Sequence, residues 1–193
     1  MTSTLPLAAR VISEGLLPAR SALLQGPVEP VAGLAPPDRI RGMLLALAIG
    51  DALGNTSEGL TAADRESRYG EITDYLPNSQ ADGHRVGLPS DDSRLAFWTL
   101  ESLLECGCLD PDDLSARFAS RQIFGLGQAV AKFLRNRADG VTPWYRCGAE
   151  SAGNGALMRI APVVLLHPAG TSAALWLDTA LASIVTHRDA SSV

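Results

Sequence analysis

From Asp38 onward, the apolar residues of this chain recur at helical spacing and almost nothing alternates with period 2. A half-buried strand needs that alternation, so the pattern excludes a sheet protein and specifies an all-α fold. Asp38 is placed to cap a first helix running to about Leu53, apolar nearly all round, which reads as buried. Residues 54–89 are rich in Gly, Pro, Asn and Asp and read as a long functional loop with at most short helices. A second helix spans about 92–105. Asp110-Pro111-Asp112-Asp113 is a start signal, with a capping Asp, Pro at the first helical position and acids in the first turn. That helix runs to about Ser120 or Phe124, and others are expected near 127–138, 155–167 (interrupted at Pro162) and 172–186. Residues 1–37 hold Pro6, Pro18, Pro27, Pro30, Pro36 and Pro37, which deny the segment a continuous helix, so it reads as a loosely ordered leader before one domain at 38–193.

Ser90-Asp91-Asp92-Ser93 stands at the start of the second helix. Two adjacent carboxylates between hydroxyls offer hard oxygen donors of the kind Mg²⁺ or Mn²⁺ prefers. The same residues also make an ordinary helix start, with Ser at the N-cap and acids complementing the dipole. Further on, Gly153-Asn154-Gly155 leads into a helical run, where backbone N–H groups could face a diphosphate; alone, it is equally an Asn-Gly turn. Gly125-Leu126-Gly127 is not a dinucleotide fingerprint, because Val130 stands where a third Gly is required. Asp51, on an apolar helix end, reads as a structural acceptor of loop N–H groups, since an unpaired buried carboxylate is costly. Arg159, just behind the glycine turn, can reach either a phosphate or an internal carboxylate.

In order, Gly50-Asp51-Ala52-Leu53-Gly54 with Glu58, Ser90-Asp91-Asp92-Ser93, Gly153-Asn154-Gly155-Ala156-Leu157-Met158-Arg159 and Thr186-His187-Arg188-Asp189 resemble the ADP-ribosylglycohydrolase family. The resemblance covers residues 39–189 and implies that family's compact orthogonal helical domain. It implies hydrolysis of the glycosidic bond between ADP-ribose and an acceptor side chain, on an ADP-ribosylated protein or small molecule. Carried over by position, Glu58 is the catalytic or water-positioning carboxylate, and Ser90, Asp91 and Asp92 are metal ligands. Ser151, Gly153, Asn154, Gly155 and His187 become ADP-ribose contacts. Two Mg²⁺ or Mn²⁺ ions are implied, completed by an Asp-x-Asp-Thr/Ser motif well after the Thr-His-x-Asp segment. This chain ends at Val193, so it reads as the N-terminal part of such a domain, with impaired activity. Apolar surface is then expected around Leu44, Leu47 and residues 175–184. A non-catalytic remnant or weak ADP-ribose-binding module is the alternative.

A net charge of −5 argues against a nucleic-acid partner. No apolar run reaches membrane-spanning length and no secretory signal is evident. Three cysteines suggest free thiols in a reducing compartment, hence a cytoplasmic protein, rather than a disulfide framework.

Overall fold

The computed structural model describes residues 5–17, 35–168, 170 and 172–193. The fold is all-α: there is no strand among the described residues, and the bridges of Pro77 with Arg85 and of Ala149 with His187 are isolated ones. Seven helices are described: α1 (Leu5–Ser13), α2 (Pro37–Gly54), α3 (Ala62–Tyr69), α4 (Asp91–Cys106), α5 (Pro111–Ser120), α6 (Gln128–Ala138) and α7 (Ala173–Ile184).

Helix boundaries follow local capping chemistry. The Asp110 carboxylate accepts from the amides of Asp112 and Asp113, with Pro111 at the first position where its missing N–H costs nothing. Thr61 starts α3 and Ser172 starts α7 by the same kind of bond. Gly107 ends α4 in a left-handed conformation, its amide returning to the Leu103 carbonyl. Helix α2 differs: Pro36 is its cap position, and Asp38 lies inside the first turn rather than capping it.

The core is built from α4, α5, α6, α7 and the segment between α6 and α7. Leu95, Leu114, Phe118, Phe133, Leu181 and Ile184 are fully buried, and Trp144 packs edge-on against Tyr145 beside them. Burial of a large apolar side chain contributes roughly 1.5–3 kcal/mol, so this cluster dominates the stability. Arg117 fans out to Glu101, Glu105 and Asp113, tying α5 to α4 at the surface.

Four expectations need correction. Part of the proline-rich leader is ordered into α1, where Ala8, Val11 and the following Leu17 join the core and Glu14 pairs with Arg146 at 3.0 Å. Pro6 sits in the first turn of α1, where it is tolerated. Residues 18–34 of that leader lie outside the described residues. Helix α2 is not buried: only Ala52 is, while Leu45 is 55% and Ile49 48% exposed. It touches α4 and the turn Asn55–Ser57, so its apolar face meets little else among the described residues. Leu44 and Leu47 are half-buried, whereas α7 packs inward, with Leu177, Ala180, Leu181, Ala182 and Ile184 buried. Finally, residues 155–167 form no α-helix but two 3₁₀ segments, Leu157–Arg159 and Ala161–Leu166, because Pro162 cannot continue an α-helical ladder.

Candidate functional site

Asp51, at the C-terminal end of α2, organises the start of α4. One oxygen accepts from the Ser90 amide (2.8 Å), the Ser93 amide (3.2 Å) and the Ser93 hydroxyl (2.7 Å). The other accepts from the Ser90 hydroxyl (2.6 Å) and the Asn55 side-chain amide (3.1 Å). The cap of α4 thus comes from a carboxylate 39 residues upstream, and the Ser90 side chain makes no capping bond of its own. Burial opposes ionisation of Asp51, but the bonds from Ser90, Ser93 and Asn55 outweigh it and hold its pKa below the usual carboxylate value.

This cap aims the next two residues. Asp91 is buried, and its Oδ2 accepts from the Gly127 amide (3.3 Å) at the start of α6. Burial raises its pKa, against the bond from Gly127. Asp92 is half-buried, and its pKa rises to about 6, first through burial and then through the negative charges of Asp51, Asp91 and Glu58. Among the described residues, no Lys or Arg forms an ion pair with any of these four carboxylates. Glu58, in the polar turn after α2, is exposed and borders three adjoining clefts.

The opposite wall comes from two segments fastened together. Ala149 pairs with the strand-like segment at His187: its amide donates to the Thr186 carbonyl (2.8 Å) and its carbonyl accepts from the Arg188 amide (2.7 Å). The Ser192 hydroxyl donates to the carbonyls of Ser151 and Gly153, holding the glycine loop from the other side. The His187 ring, 1% exposed, then lies against Gly155, where an added Cβ would stand 2.8 Å from the ring. Only glycine allows that approach.

Together these walls enclose a cleft of about 260 Å³ lined by Glu58, Asp91, Asp92, Ser151, Gly153, Asn154, Gly155, Met158 and His187. Eight of the nine residues singled out in the sequence converge there. Ser90 does not: it borders the two neighbouring clefts, shares one with Glu58 and Asp92, and spends its hydroxyl proton on Asp51. Among the described residues, no group of three or more His, Cys, Asp and Glu side chains is spaced to hold a metal ion. The donors are right in kind for a hard divalent cation and short in number.

Sequence reasoning missed part of this site. Gly125, Gly127 and Gln128 also line the cleft, and a Cβ on Gly125 would stand 2.9 Å from that of Ser90. Two glycines before a helix are the available signal, although they fit no dinucleotide fingerprint. Arg159 turns inward, not toward the cleft. It is fully buried, donating to the Ala182 carbonyl and the Thr186 hydroxyl, with its guanidinium 4.9 Å from the Phe118 ring centroid. Asp178 is buried on α7 beside His167, not among the residues lining the cleft.

The comparisons bear on what such a cleft belongs to. A family model described as ADP-ribosylglycohydrolase matches residues 33–193. An uncharacterized protein of Archaeoglobus fulgidus is 34% identical over 67% of this chain and 43% of its own length. The ADP-ribosyl-[dinitrogen reductase] glycohydrolase of Rhodospirillum rubrum is 32% identical over 68% of this chain and 47% of its own length. A solved structure titled ADP-ribosylglycohydrolase-related protein complex superposes with a TM-score of 0.58 at 34% identity, covering 80% of this chain and 51% of that one. The chain thus spans about half the length of the relatives it matches. With the family model spanning the whole of α2 to α7 and the four motifs lying within it, the chain belongs to the ADP-ribosylglycohydrolase family.

Proposed function

We propose that this chain binds ADP-ribose in the cleft between Glu58 and His187 and serves hydrolysis of the glycosidic bond joining ADP-ribose to an acceptor on a protein or small molecule. The observation that carries this reading is the convergence on one cleft of carboxylates from the α2–α3 loop and α4 with the glycine loop and His187. Small residues at 153–155 allow a diphosphate to approach the backbone, with Asn154 as a further polar contact. Glu58 is the exposed carboxylate at the junction of the clefts, free to take a proton from an attacking water as the bond to the acceptor breaks.

Mg²⁺ or Mn²⁺ would be held by Asp91, Asp92 and the lone pairs that Ser90 keeps while donating its proton. The unpaired crowding of carboxylates that raises Asp92 supports this. When bound, such an ion supplies charge stabilisation and orients ribose hydroxyls. A two-ion site needs further ligands, which the family resemblance expects from a second acidic segment. A second reading is an ADP-ribose-binding module without turnover, favoured by the glycine loop and His187 lining the cleft.

One set of measurements separates these readings: release of ADP-ribose from ADP-ribosylarginine with Mg²⁺ or Mn²⁺, beside an Asp91→Ala, Asp92→Ala variant, and calorimetry with ADP-ribose. Cation-dependent release that the variant lacks supports the hydrolase. Binding without release supports the module, and neither binding nor release overturns both.

A further inference from the structure

Arg159 is the most buried charge in the described chain, and no carboxylate faces it. Its Nη2 donates to the Ala182 carbonyl (2.9 Å) and to Thr186 Oγ1 (2.8 Å), while Nε and Nη1 have no partner among the described residues. Beyond the Phe118 ring 4.9 Å away, little among the described residues offsets the burial of this cation, which invites a functional explanation.

The hydrogen-bond polarity supplies one. A guanidinium only donates, so Thr186 Oγ1 must accept from Arg159. Thr186 is fully buried, and its other polar neighbour is His187 Nδ1 at 2.8 Å. Among the described residues the hydroxyl proton therefore has one acceptor within reach, and that acceptor is Nδ1. If Nδ1 carried a proton, two donors would face the same oxygen and the buried O–H would go unsatisfied. With Nδ1 accepting, the neutral ring carries its proton on Nε2. That edge faces the glycine loop: an added Cβ would stand 3.0 Å from it at Gly155 and 3.8 Å at Gly153. Burial and then the nearby Arg159 charge push the His187 pKa down to about 4, which keeps the ring neutral through the ordinary histidine range.

We propose that Arg159 and Thr186 are positioning residues for the cleft, holding His187 in its neutral Nε2–H form as a hydrogen-bond donor to a ligand oxygen. Arginine suits the first place in this relay because it stays a donor at working pH: burial lowers its pKa, but only to about 9. A Thr hydroxyl suits the second, since it accepts on one side and donates on the other. The identification of the ligand oxygen as one of ADP-ribose rests on the function proposed above; the tautomer does not.

The test is nitrogen-15 NMR of the His187 ring in the free protein, in the wild type, Thr186→Ser and Thr186→Val, with calorimetry on ADP-ribose for each. The wild type and Thr186→Ser are expected to show protonated Nε2 and bare Nδ1, unchanged between about pH 6 and pH 8. Thr186→Val, which keeps the shape and loses the hydroxyl, is expected to show a proton at Nδ1 in part of the population. It should bind ADP-ribose about five-fold more weakly, the equivalent of one net hydrogen bond, while Thr186→Ser retains affinity. A wild-type ring protonated on Nδ1, or a tautomer unmoved by Thr186→Val, overturns the relay; the wild-type spectrum decides even if the Val variant does not fold. The expected tautomer without ADP-ribose binding leaves the relay standing and overturns the substrate reading instead.

Discussion

Asp51 and Ser93 are joined twice through a single oxygen: Asp51 Oδ2 accepts both the Ser93 amide at 3.2 Å and its hydroxyl at 2.7 Å. With Ser90 and Asn55 on the same carboxylate, this joint fastens α2 to the first turn of α4 and so sets the direction of Asp91 and Asp92. Asp51→Ala strips these partners at once and is expected to destabilise the fold by about 2–4 kcal/mol. In urea the midpoint falls with the slope unchanged. The folded pKa of Asp51 is depressed, so its contribution is present above the ordinary value of 3.8 and is lost as pH falls through the folded pKa. The difference between wild type and variant should shrink accordingly on acidification. An Asp51→Ala protein with wild-type stability at neutral pH would refute this role.

Asp92 has the opposite sign. Its folded pKa of about 6 exceeds the ordinary 3.8, so the folded state holds a proton that the unfolded state has released, and stability falls as pH rises through that window. Above it, the ionised carboxylate is a standing cost. Asp92→Asn is expected to be more stable than the wild type at pH 7 by about 1 kcal/mol, reduced for partial exposure, and equal to it below about pH 4. Added Mg²⁺ should stabilise the wild type at pH 7 and leave Asp92→Asn unchanged in thermal unfolding. A wild type indifferent to Mg²⁺ and Mn²⁺ at millimolar concentration would count against the proposed ion site.

Gly155→Ala tests the approach of the glycine loop to His187. The new methyl would meet the ring at 2.8 Å, and the ring, pinned by Thr186 on its far side, has little room to retreat. ADP-ribose affinity should fall by tenfold or more, about 1.4 kcal/mol, because the displaced loop carries Asn154 as well. The His187 ring resonances should shift. Unaltered affinity by calorimetry would remove the loop from the binding site.

Helix α2 presents Leu45 and Ile49 to solvent on an apolar face with few neighbours among the described residues. Such a patch favours association. The double variant Leu45→Glu, Ile49→Lys is expected to lower light scattering and delay self-association in size-exclusion chromatography, with the melting temperature nearly unchanged. A large loss of melting temperature would show instead that the face is packed.

Much of the fold was legible because it rests on short-range rules. Asp110-Pro111 announces α5 and Gly107 closes α4 through bonds spanning two to four residues, well inside any sequence window. The period of the apolar residues likewise predicts helices within a few residues of α4, α6 and α7. The candidate site was legible by motif: the acidic pair, Glu58, the Gly-Asn-Gly turn and His187 are recognisable in order along the chain.

Other features belong to the tertiary structure alone. Nothing local marks Asp51 as the cap of a helix that begins at Asp91, since the partners meet only when α2 is laid against α4. An all-round apolar pattern states that α2 could be buried, but burial depends on what packs against it, and here little does. Pro-rich spacing argues against a long helix without excluding the short α1, whose place in the core is settled by Val11 and Leu17 finding apolar neighbours. Arg159 lies at the end of the short 3₁₀ segment that follows the glycine loop and turns inward because Thr186 and Ala182 wait there, 27 and 23 residues on. The sequence by itself determined most of the helices from α4 onward, through periodicity and capping that act over a few residues, and its motifs named eight of the candidate residues that line the cleft. Tertiary structure decided which carboxylate holds the frame and which face the cleft, because hydrogen bonds and charges between distant segments exist only after those segments pack.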